Sequence, residues 1–69
     1  MGKTVIAQNI KKYRKLRGIT QIQLAKSAQL SPAGIGHIES GDIKNPTIDT
    51  AKKISDALAI TIDQLIAEN

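Results

Sequence analysis

The chain has no cysteine, tryptophan or phenylalanine, and Tyr13 is its one aromatic residue. Without cysteine there is neither a disulfide framework nor a thiolate metal site, and the composition fits a reducing cytoplasm. Without a set of rings, the stacking platforms that hold single-stranded RNA or DNA are missing. No apolar run approaches the roughly 20 residues that cross a bilayer, and the N-terminus has no hydrophobic signal core. The expectation is a soluble cytoplasmic protein with no membrane partner. At 69 residues it forms a single domain, 1–69, of a size that buries only about 60% of its unfolded surface.

Acidic residues are missing from positions 1–38, which carry Lys3, Lys11, Lys12, Arg14, Lys15, Arg17 and Lys26, a charge of +7. Residues 39–69 set Lys44, Lys52 and Lys53 against Glu39, Asp42, Asp49, Asp56, Asp63 and Glu68, a charge of −3. Such a two-ended field attracts a polyanion to one side and keeps the other soluble. Catalytic groupings are absent too. Ser27, Ser31, Ser40 and Ser55 have no motif around them, and His37, the sole histidine, would need carboxylates alone to complete a metal site. Asp49, Asp56 and Asp63 recur every seven residues, on outer helix faces. Neither an enzyme nor a metal, cofactor or small-molecule ligand is expected.

Helix punctuation, by contrast, is dense. Thr20 with Gln23 forms a capping box, and Ile19 and Leu24 are spaced as a hydrophobic staple across it. Ser31 precedes Pro32, with Leu30 and Ile35 as its staple; Thr47 follows Pro46; Thr61 pairs with Gln64, and Ile60 faces Leu65. With a first helix from about Thr4, these starts predict five short helices and an all-α fold. Apolar positions recur at the helical period: Ile6, Ile10 and Tyr13; Leu24, Ala25 and Ala28; Ile35 and Ile38; Ile48, Ala51, Ile54 and Leu58; Ile62, Leu65 and Ile66.

The second helix (about 20–28), its short turn and the third helix (about 31–39) resemble the helix-turn-helix of the phage repressor and Cro family. The resemblance runs from about Ile6 to Ile66 and rests on Gly18, Thr20, Gln21, Leu24, Ala25, Ser31, Ile35, Ile38, Glu39 and Gly41, then Asn45, Pro46 and Thr47. It implies a lambda-repressor-like five-helix domain whose third helix enters the major groove of double-stranded DNA. The implied base-reading positions are Pro32, Ala33 and His37, flanked by Ser31 and Gly36. Pro32 and Ala33 offer only apolar contact, as to a thymine methyl, so polar readout falls on His37 and Ser31. A protonated His37 facing phosphate or guanine would make affinity rise as pH falls through about 6.5.

Gln21, in the first turn of the second helix, looks like a phosphate clamp, the alternative being a plain polar residue. Arg14 aligns with the family arginine that pairs with the glutamate near the end of the third helix, here Glu39. Gly41 is placed to end that helix at positive φ, and Lys44 and Asn45 in the loop beyond are phosphate candidates. Lys11, Lys12 and Lys15 add long-range attraction. Two features depart from ordinary helix economy. Gly34 and Gly36 cost on the order of 2 kcal/mol relative to alanine, for which close approach of Gly36 to the groove is one return. Gln29 stands where the family usually has a left-handed glycine, at roughly 1 to 2 kcal/mol.

The resemblance implies a transcriptional regulator, a repressor acting as a homodimer on a palindromic operator, in a prokaryotic, phage or plasmid context. Ile62 and Ile66 are the candidate dimer patch, with satellite core packing as the alternative, and Ile22 is a further exposed apolar candidate. The competing reading is a protein-binding module of the same fold, antitoxin-like or adaptor.

Overall fold

The structure is a computed structural model that describes residues 4–68; Lys3 and both extremities of the 1–69 domain lie outside the described residues. Five helices follow in order: α1 Val5–Arg17, α2 Gln21–Ala28, α3 Pro32–Ser40, α4 Ile48–Leu58 and α5 Ile62–Ile66. Each begins on a threonine or serine whose hydroxyl accepts a first-turn amide: Thr4, Thr20, Ser31, Thr47 and Thr61. Thr20–Gln23 and Thr61–Gln64 are full, reciprocal capping boxes.

Four helices end on a left-handed residue, where a tight reversal brings the following amides back to the unpaired last carbonyls. Two of these residues are glycines, Gly18 at φ 68° and Gly41 at φ 90°; the other two are Gln29 and Ala59, both at φ 59°. The second helix therefore ends on a left-handed residue despite lacking a glycine there. At Gln29 the reversal is secured by Gln29 N–H to Lys26 O at 3.2 Å and Leu30 N–H to Ala25 O at 2.8 Å.

The core is aliphatic. Ile10, Leu24, Ala25, Ile35, Ile38, Ala51, Ile54, Leu58, Ile60 and Leu65 form one cluster, with Ile6, Tyr13, Ile19 and Leu30 packed against its edge. α2 and α3 pack on each other, α4 backs α2, and α1 runs behind α3; α5 packs on α1 and α4. Two expected core positions are corrected. Ile48 is 81% exposed, because it opens α4, and a side chain in the first turn leans back over the helix start, here into solvent. Ile66 is 50% exposed: α5 has five residues, too few to turn more than Leu65 fully inward.

Two polar side chains act as ties between distant parts of the chain. Asn9 is buried on α1 and its amide donates to the carbonyls of Leu65 at 2.7 Å and Ala67 at 2.8 Å, closing the open end of α5. Arg17 Nε donates to Leu58 O at 2.9 Å, satisfying the end of α4. The effect is to hold α1, α4 and α5 as a base on which α2 and α3 stand.

Candidate nucleic-acid interface

The site is built outward from Glu39. Its carboxylate is 1% exposed and receives Arg14 Nε at 2.8 Å, Arg14 Nη2 at 3.2 Å and Gln21 Nε2 at 3.2 Å. Arg14 also donates Nη1 to Ile19 O at 3.0 Å, across the α1–α2 turn. One buried carboxylate on α3 thus takes hydrogen bonds from α1 and from the start of α2, which fixes the crossing of all three helices. Removing Arg14 would leave the Glu39 charge stranded in low dielectric, the costly case. Neither Arg14 nor Glu39 points to solvent, so the pair is architectural.

Gln21 is half-buried, and its amide is turned toward Glu39 rather than outward. What it presents at the surface is the first turn of α2, where the amides of Gln21 and Ile22 have no intrahelical partner by position. A phosphate at that turn would be met by backbone donors and the positive end of the helix dipole.

At the start of α3 Ser31, Pro32 and Ala33 are exposed, and His37, one turn further along, is 58% exposed at its side chain. Ser31 Oγ accepts Gly34 N–H at 3.0 Å, so its first use is as a cap. The two glycines of α3 differ in what surrounds them. A Cβ at Gly34 would sit 3.0 Å from Ser31 Oγ, a tight contact with the cap. A Cβ at Gly36 would meet only Gln21 Oε1, at an ordinary 3.9 Å, so nothing within the chain requires glycine at 36.

His37 Nδ1 lies 3.2 Å from Asp42 Oδ2. Asp42 was not among the residues that sequence reasoning singled out, because it is five positions away and comes alongside only through the left-handed turn at Gly41. Ser40 clasps that turn, donating Oγ to His37 O at 3.0 Å and accepting Asp42 N–H at 3.4 Å. The hydrogen bond from His37, then that from Ser40, then the charge on His37 hold the Asp42 carboxyl below its usual 3.8, against a small opposing desolvation. Lys44 and Asn45 are exposed in the loop that follows. Ile62 is half-buried and Ile66 exposed on α5, which lies across the core from α3. Ile22, at 66%, and Leu16, at 67%, are further exposed apolar side chains; Leu16 drew no notice in the sequence, since it falls off the apolar stripe of α1.

Comparison with known proteins agrees with this geometry. The family described as helix-turn-helix matches residues 10–65. The immunity repressor of Bacillus phage phi105 is 38% identical over 63 residues, which cover 91% of this chain and 43% of the repressor. The transcriptional regulator SinR of Bacillus subtilis is 33% identical over 64 residues, 93% of this chain and 58% of SinR. The chain therefore spans about half the length of these two relatives. Among solved structures, the N-terminal DNA-binding domain of SinR superposes with a TM-score of 0.88 at 33% identity, covering 93% of each chain. SinR in complex with DNA gives a TM-score of 0.86 at 32% identity, covering 90% of this chain and 98% of that one.

Proposed function

The chain belongs to the helix-turn-helix family of DNA-binding transcriptional regulators, in its phage-repressor form, and from that premise we propose that it is a repressor that binds a palindromic operator as a homodimer. One observation carries the reading: α3 leaves Ser31, Pro32, Ala33 and His37 exposed while the buried Glu39 near its end anchors it to α1 and α2. A helix held in this way presents a fixed, shallow edge to the major groove, with the first turn of α2 and the loop bearing Lys44 and Asn45 set to meet the flanking phosphates. Gly36 lets the backbone of α3 approach the groove floor, and the +7 charge of residues 1–38 draws the duplex to the molecule. Half-buried Ile62 and exposed Ile66 on α5 offer the apolar patch for the second protomer. A cytoplasmic site of action accompanies a DNA partner.

Selection of bound duplexes from a random pool at low ionic strength tests the reading. An enriched inverted repeat, with half-sites one helical turn or a multiple apart, is the expected result. A pool with no enriched sequence would overturn it and favour the protein-binding use of the same fold.

A further inference from the structure

We propose that Asp42 is a specificity-determining positioning residue: by holding the Nδ1 hydrogen of His37, it leaves Nε2 as the atom offered to the groove and makes His37 a reader of base amines. The inference deepens the DNA reading above and rests on it.

The steps follow from hydrogen-bond chemistry. An ionised carboxylate can only accept, so the ring nitrogen beside Asp42 Oδ2, Nδ1 at 3.2 Å, must be the one that carries hydrogen. In a neutral imidazole the other nitrogen then has a lone pair and no hydrogen, and Nε2 becomes an acceptor. In the major groove the amine donors are N4 of cytosine and N6 of adenine, whereas guanine offers two acceptors. A neutral His37 with the opposite tautomer would prefer guanine. Asp42 therefore selects between two readings of the same residue type.

The placement is built into the end of α3. Gly41, at φ 90°, reverses the chain after Ser40. Ser40 Oγ bridges His37 O and Asp42 N–H, and Ile43 N–H also donates to His37 O at 3.1 Å. These bonds bring position 42 against position 37 and fix the carboxylate where the imidazole must meet it. Asp42 itself is disfavoured as a groove contact on charge grounds, since it would face phosphate oxygens of its own sign. Its use lies in what it does to its neighbour.

The test has two arms, both at pH 8, where imidazole in water is neutral. In the free protein, nitrogen-15 NMR of the His37 ring should show hydrogen on Nδ1, and Asp42→Asn, whose amide can donate or accept, should give a mixture of tautomers. Hydrogen on Nε2 in the parent would overturn the proposal. In the second arm, the selected operator is varied through all four base pairs at the position whose discrimination is lost in His37→Ala. The parent should favour an adenine or cytosine amine over guanine by about 5- to 10-fold, and Asp42→Asn should reduce that to under about twofold. Removing a negative charge for electrostatic reasons alone would raise affinity for all four duplexes equally. An unchanged preference in Asp42→Asn, or a His37→Ala variant that discriminates as the parent does, sinks this inference alone. A pool with no enriched duplex sinks the DNA reading and this inference with it.

Discussion

At the scale of single residues, Glu39 decides most. With its carboxylate 1% exposed and three donors on it, Arg14→Ala leaves a buried charge with only Gln21 beside it. The expected loss is about 3 kcal/mol, visible in urea unfolding, and Arg14→Met combined with Glu39→Leu should restore much of it. Equal stability of parent and Arg14→Ala would contradict the assignment. Gly36 makes a prediction of two signs. Since a Cβ there makes only one ordinary contact, Gly36→Ala should stabilise the fold by about 0.5 to 1 kcal/mol while weakening duplex binding by at least about fivefold. Binding as tight as the parent's would remove the close-approach reading. Asp42 predicts an acid dependence. Its folded pKa lies below 3.8, so whatever stability it contributes is complete above the unfolded value and is lost as pH falls through the folded one. Between about pH 4 and pH 2 the parent should lose stability more steeply than Asp42→Asn, and parallel slopes would deny the coupling. Residues of this kind differ in how legible they were. The Arg14–Glu39 alignment came with the family resemblance, whereas the Gln21–Glu39 bond, the Asn9 tie and the His37–Asp42 contact join residues through three-dimensional placement that no local pattern encodes.

Among the elements, starts were far easier to read than ends. All five caps are serine or threonine, and the hydroxyl-to-amide bond they make is local, so the sequence near each start contains the whole interaction. The ends at Gly18 and Gly41 carry the residue that the left-handed geometry prefers, and at Gln29 only the family resemblance implies such an end. Ala59 carries no such signal, because alanine is a strong helix former and nothing local marks it as a terminator. Its left-handed turn is imposed by packing: Ile60 must return to the core behind Leu58, and Ile60 N–H donates to Ser55 O at 3.0 Å. Ala59→Gly should therefore stabilise the domain by up to about 1 kcal/mol, less the greater freedom glycine gives the unfolded chain. Thermal unfolding measures this directly, and a lower midpoint in the glycine variant would show that the left-handed turn carries no strain. The apolar period placed the helices correctly but overfilled the core, since periodicity assigns Ile48 and Ile66 to a stripe without registering that each sits at the end of a short element.

For the whole molecule, composition was informative about partner class and silent about assembly. Charge segregation between residues 1–38 and 39–69 pointed to a polyanion from the outset, but whether Ile62 and Ile66 serve a second protomer depends on a surface that one chain cannot display. The charge does make a quantitative prediction. If each protomer neutralises about three phosphates, log affinity should fall with log salt at a slope near −3 per protomer, roughly a 20-fold loss for a threefold rise in salt. A flat salt response would point to a partner other than a phosphate backbone. The carboxylate shared by three helices has one more consequence. Because the angle of α3 is locked to α1 and α2 by the same buried anion, the domain lacks an easy hinge through which to conform to its target. Adjustment on docking must then come from the duplex, so operators should be ranked partly by how readily their untouched central steps twist and narrow, and flexible pyrimidine–purine steps between the half-sites become part of the code.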